Sequence, residues 1–150
     1  MALRESFTEA LKAAMKRGEK DRTSTLRMIL AGLKDVDIAA RPKPPVPDAD
    51  ILAMLRRMVK ARQEAAALYR QGNRPDLVDK ETSEIKVIEE FLPPAMNADE
   101  LASAVDKALA ESGAAGPKDT GLVMAALKRA YPGRIDLARA AELLKTRLKP

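Results

Sequence analysis

GNRPDLVDKETSEIKVIEEFLP, residues 72–93, gathers six carboxylates (Asp76, Asp79, Glu81, Glu84, Glu89 and Glu90) against Arg74, Lys80 and Lys86. Its two ends are punctuation. Gly72 and Asn73 tolerate left-handed backbone and Pro75 suits a first helical position, so GNRP stops one helix and starts the next. Pro93 and Pro94 end that second helix, because proline has no amide to donate and pushes its predecessor toward extended geometry. The spacing of Val78, Ile85, Ile88 and Leu92 predicts a helix over about Pro75 to Leu92. Asp76 and Asp79 then lie in its first turn, where the helix dipole favours negative charge.

Working back toward the N-terminus, a helix from Asp48 or Asp50, as its cap, to about Gln71 carries the stripe Ile51, Leu55, Met58, Arg62, Ala65, Tyr69. A basic side chain in an apolar stripe needs a partner. In an antiparallel hairpin pivoting near Asn73, Arg62 lies level with residues 81 to 85, within reach of Glu81 or Glu84. A helix turning about 100° per residue spreads the six carboxylates around its circumference, so they do not converge as a metal or acid–base site would require. Arg62, Glu81 and Glu84 are therefore read as a structural ion-pair seam that sets hairpin register.

Helical spacing continues through the rest of the chain, and no stretch shows the alternation of a half-buried strand. Two helices precede the proline-rich connector RPKPPVP (41–47): about Ala2 to Arg17, with Leu3, Phe7, Leu11 and Met15 on one face and Gly18 as its stop, and about Arg22 to Ala40. After LPPAMNADE (92–100), where Asn97 and Glu100 form a capping-box pattern, three shorter helices are expected over about Ala98–Ser112, Pro117–Ala130 and Asp136–Lys149. Asp136 is the natural cap of the last. Gly121 and Gly133 read as close-packing or turn positions. The expected architecture is all-α, with an N-terminal four-helix bundle (1–93) and a C-terminal basic three-helix bundle (96–150).

Composition removes whole classes of chemistry. The 150 residues contain no cysteine and no histidine, which excludes thiol nucleophiles, imidazole bases, disulfides and the commonest zinc ligands. Neither a metal site nor a cofactor is expected. No apolar run is long enough to span a bilayer, and acids interrupt the N-terminal stretch where a signal peptide would be apolar, so the expected location is cytoplasmic, away from membranes. Aromatic residues make up 3% and tryptophan is absent, which argues against platforms that stack successive bases. From Gly113 onward there are eight bases and three acids, whereas residues 1–112 balance at nineteen each. Lys118, Lys128, Arg129, Arg134, Lys145 and Lys149 are the candidate phosphate contacts in that basic stretch. Any recognition would be of RNA shape and backbone.

Three segments carry a resemblance. YRQGNRPDLVDKETSEIKVIEEFLP (69–93), KDTGLVMAALK (118–128) and GRIDLARAAELLKTRL (133–148) are similar, in order and over essentially the whole chain, to the stand-alone GatB/YqeY proteins. The last two resemble the C-terminal tail domain of the B subunit of glutamyl-tRNA(Gln)/aspartyl-tRNA(Asn) amidotransferase. The resemblance implies two helical bundles, four helices then three, and an association with amidotransferases that take glutamine as amide donor, a carbon–nitrogen ligase chemistry. It implies no catalytic residue here, since the amidase is another subunit and the transamidation site lies in the N-terminal part of the B subunit. The shared tail helps recognise tRNA. This chain departs from the family in one place, carrying Thr120 where a bulky apolar residue is common between the Asp and Gly of the second motif. The expected role is an accessory module without its own catalytic site, with tRNA, an amidotransferase or other translation proteins as partners. The alternative is a protein–protein adaptor that works through the N-terminal bundle, where Met15, Met28, Met54 and Met58 would suit an adaptable surface.

Overall fold

The computed structural model describes residues 2–148, and every regular element among them is helical. Seven α-helices form in chain order: α1 (Leu3–Lys16), α2 (Lys20–Ala39), α3 (Asp48–Gln71), α4 (Pro75–Glu89), α5 (Ala98–Ser112), α6 (Thr120–Ala130) and α7 (Leu137–Arg147). A single 3-10 turn, Pro117–Asp119, leads into α6. The chain divides between Leu92 and Pro93 into two compact units, α1–α4 and α5–α7, each with its own apolar core.

In the first unit Phe7, Leu26, Ile29, Ile51, Leu55 and Ile88 are fully enclosed. The α1–α2 link is a glycine-stopped helix end. Gly18 sits at φ 70° and donates to the Met15 carbonyl, while the Glu19 amide reaches back to that of Ala14. The α3–α4 link repeats the geometry without glycine in the left-handed position. There Asn73 takes φ 55°, its amide bonds to the Arg70 carbonyl, and the Arg74 amide bonds to that of Tyr69. Pro75 follows at the first helical position, where a missing amide costs nothing.

Several local expectations shift. In the last turn of α1 the buried residue is Ala14, and Met15 is 53% exposed. Each four-residue step overshoots a turn by about 40°, so three steps from Leu3 carry Met15 well off the face, whereas eleven residues nearly complete three turns. Neither Asp48 nor Asp50 is the cap of α3. Pro47, extended at ψ 168°, occupies that position, which places both acids inside the first turn, where they complement the dipole. Helix α4 ends at Glu89, three residues early, in a turn that carries Phe91 and Leu92 back onto the core.

The second unit buries Leu101, Val105, Val123, Leu127, Ala140 and Leu144. The capping box at α5 forms as the spacing predicts: the Glu100 amide donates to Asn97 Oδ1 at 2.8 Å and the Asn97 amide to Glu100 Oε1 at 3.3 Å. Asp136 caps α7 by accepting from the amides of Ala138 and Arg139. Thr120 opens α6 and donates its hydroxyl to the Pro117 carbonyl at 2.7 Å, a local bond that a bulky apolar residue could not make. Gly121 lies in the open, with nothing near the place a β-carbon would take, so it is not a close-packing position. Gly133 is a turn position, at φ 73°.

Candidate nucleic-acid interface

The α6–α7 turn is anchored by one side chain. The Arg134 guanidinium donates through Nη2 to Glu100 Oε2 at 3.1 Å and through Nε to the Pro94 carbonyl at 3.1 Å, and its own carbonyl accepts from the Met96 amide at 2.9 Å. Residues 94–96, which read as linker in the sequence, are thus tied to the turn, and Arg134 is occupied within its own unit. Arg147 is similarly engaged, with Asp106 of α5.

Charge looks different once folded units replace stretches of sequence. Helix α5 brings acids with it, so residues 93–150 hold nine bases and seven acids. Four of those acids are committed locally: Glu100 and Asp106 to arginines, Asp119 and Asp136 to backbone amides. The amides of Ala115 and Gly116 hold the Asp119 carboxyl below its ordinary range, with Lys118 beside it adding to the effect. What remains outward is mainly basic. Lys118 is exposed on the 3-10 turn, Lys128 and Arg129 on the last turn of α6, and Lys145 near the end of α7. They do not converge on one point. Ten residues of chain separate Lys118 from Lys128, about 15 Å at helical rise, and Lys145 lies about 12 Å along α7 from its start. Phosphates spaced along an RNA backbone could meet such a spread, whereas a single small anion could not. Lys149 lies outside the described residues.

Between α5 and α6 runs an open groove of about 400 Å³. Ala104 and Ala108 of α5 and Ala126 and Ala130 of α6, each pair at four-residue spacing, line it together with the buried Leu127. Leu122 stands 58% exposed at one side and Tyr131, half-buried, closes the α6 end. Lys107 and Arg129 lie on the rim, and neither makes an ion pair among the described residues. The sequence reading missed this groove, since alanine at these positions signals helix propensity as readily as a gap.

In the first unit Arg62 and Glu84 meet, Nε to Oε2 at 2.9 Å, with each side chain 15% exposed. Arg62 also donates to the Met58 carbonyl and approaches Met28 Sδ. Glu81 does not share this contact. The other acids of the 72–93 stretch scatter: Asp76 pairs with Arg74 and Glu90 with Arg22. Among the described residues no group of three or more carboxylates could hold a metal ion. Of the four methionines proposed as an adaptable surface, Met54 is buried, Met28 and Met58 are half-buried and Met15 is exposed. Met15 and Met28 line an open groove of about 590 Å³ with Lys20 and Arg27.

A further cluster escaped the sequence reading altogether. Arg4 grips Asp37 with two bonds, at 2.7 and 2.9 Å, and Asp37 also accepts from the Val46 amide, whose residue returns its carbonyl to Arg4. The Arg4 guanidinium first, then the Val46 amide, pull the Asp37 carboxyl down to about 2. This is how the connector is stitched onto α1 and α2.

A family model described as Yqey-like protein matches residues 4–148. Among curated proteins, the chain is 35% identical over 80 residues to an uncharacterised protein of Schizosaccharomyces pombe, covering 53% of this chain and 63% of that one. It is 31% identical over 103 residues to "Altered inheritance of mitochondria protein 41, mitochondrial" of Eremothecium gossypii, covering 67% and 56%. The protein of the same name from Lachancea thermotolerans is 33% identical over 85 residues, covering 55% and 43%. The chain therefore spans between about two fifths and two thirds of these relatives' lengths.

Proposed function

The chain belongs to the Yqey-like protein family, and from that premise we propose that it is an accessory module without its own catalytic site, contacting tRNA through its C-terminal unit and working beside an amidotransferase or other translation proteins. The observation that carries this reading is the set of exposed cations on the C-terminal unit: Lys118, Lys128, Arg129 and Lys145, with Lys149 following in the sequence. Arg134 takes a different part, holding the α6–α7 turn and the 94–96 segment in place so that Lys128 and Arg129 are presented. No helix among the described residues is long and apolar enough to cross a membrane. The reading places the protein in the cytoplasm, and the mitochondrial designation of two relatives makes an organelle the alternative compartment.

Binding of the full chain to bulk tRNA, followed by fluorescence anisotropy between 50 and 200 mM salt, tests it. Contact with phosphates should give a log–log slope of about −3 to −4, near the number of engaged cations. Absence of binding at 50 mM salt would remove the reading.

The second reading, a protein–protein adaptor, is favoured by the groove between exposed Met15 and half-buried Met28. Methionine adapts to varied apolar partners. Charge reversal of Lys128 and Arg129 separates the two, since it would weaken tRNA binding and leave an adaptor surface on the first unit untouched.

A further inference from the structure

We infer that the α5–α6 groove is a slot for one unpaired RNA base, with Tyr131 as its stacking face and Lys107 and Arg129 on the flanking phosphates. This rests on the RNA reading above and names a site within it. Three observations converge. Four alanines and the buried Leu127 line a shallow shelf, in place of the row of deep side-chain pockets that an amphipathic helix needs for anchors at i, i+4 and i+7. Tyr131 and the exposed Leu122 give the shelf apolar walls that water covers poorly, and a base has a flat apolar face to offer them. The two rim cations have no ion-pair partner among the described residues, so the charge around the slot suits a phosphodiester. Glu111, also on the rim, can accept from the exocyclic amine of adenine, cytosine or guanine, which uracil lacks. The low aromatic content excludes a platform for successive bases; one tyrosine in a slot suffices for one base.

The chain contains two tyrosines and no tryptophan, so in a Tyr69→Phe variant Tyr131 is the only tyrosine emitter. That variant is titrated with a single-stranded heptanucleotide RNA, with a blunt RNA duplex, and with an acidic helical peptide of equal charge. The heptanucleotide should quench tyrosine emission as it binds, and the duplex should bind with little quenching. Ala126→Leu fills the slot without changing charge or helix propensity; it should abolish the quenching and weaken heptanucleotide binding about tenfold, leaving duplex binding unchanged. Arg129→Gln and Lys107→Gln should each reduce the salt slope by about one. RNA binding without quenching, or heptanucleotide binding unaffected by Ala126→Leu, would overturn the slot and leave the RNA reading standing. Loss of all RNA binding would take both down, and quenching by the acidic peptide alone would reassign the groove to a protein partner.

Discussion

Phe7 and Phe91, the two phenylalanines of the chain, meet edge to face with ring centroids 5.0 Å apart and planes at 78°. The contact ties the first turns of α1 to the segment that follows α4, closing the first unit on itself. Such pairs contribute about 1 kcal/mol beyond the area they bury. Phe91→Leu should therefore cost about 1 kcal/mol, and Phe7→Ala about 3–4 kcal/mol, because Phe7 has no exposed surface and its loss leaves a cavity. Urea unfolding of the two single variants and the double variant measures both, and a coupling energy near zero would show that the pair is packing alone.

The Arg62–Glu84 pair makes a prediction of opposite kind. Removing one partner strands a charge in a site only 15% exposed, so Arg62→Ala should destabilise the first unit by about 2–3 kcal/mol, somewhat less than for a fully enclosed pair. Replacing both with methionine should leave stability within about 1 kcal/mol of the original. Thermal unfolding followed by circular dichroism decides; an Arg62→Ala variant that melts with the wild type would remove the seam from the account of the fold.

Asp37 predicts a pH dependence. Its carboxyl ionises at about 2 in the folded chain, against 3.8 for the ordinary side chain. The folded value is the lower one, so its contribution to stability is complete above about pH 4 and drains away as pH falls through 2. Asp37→Asn should be less stable than wild type at pH 6, and the gap should narrow below pH 4 and nearly close at pH 2. Denaturant midpoints of both proteins across that range measure it; a gap that stays constant would mean that the Arg4 and Val46 bonds do not depend on the charge.

These three contacts differ in how far the sequence discloses them. Arg62 betrays itself as a cation in an apolar stripe, and a hairpin pivot at Asn73 supplies the register. Arg62 precedes that pivot by eleven residues and Glu84 follows it by eleven, whereas Glu81 lies three residues nearer the turn, about 4.5 Å along the axis. The symmetry selects Glu84. Arg4 and Asp37, 33 residues apart, share no such geometry. Their pairing depends on where a proline-rich connector doubles back, which periodicity does not encode. Helix ends were legible where one residue decides them, as at Gly18, Asn73, Asn97 and Asp136. The basic character of the C-terminal unit was legible only in part, because the fold sets acids of α5 beside bases that lie thirty or more residues later in the chain.

Arg134 and Arg129 lie five residues apart, and their expected behaviour toward RNA differs. Arg129 is exposed on the last turn of α6, whereas Arg134 is bonded to Glu100 and to the Pro94 carbonyl. Phosphate contact by Arg134 would require breaking bonds that hold its own turn. Arg129→Gln should weaken tRNA binding at 100 mM salt several-fold and lower the salt slope by about one. Arg134→Gln should leave the slope unchanged while lowering the stability of the second unit by about 1–2 kcal/mol, through the lost charged bond to Glu100 and the loosened 94–96 segment. The measurement is a pair of salt titrations alongside thermal unfolding of each variant. If Arg134→Gln lowers the slope as much as Arg129→Gln does, the guanidinium leaves Glu100 for the phosphate on binding, and the turn rearranges in the complex.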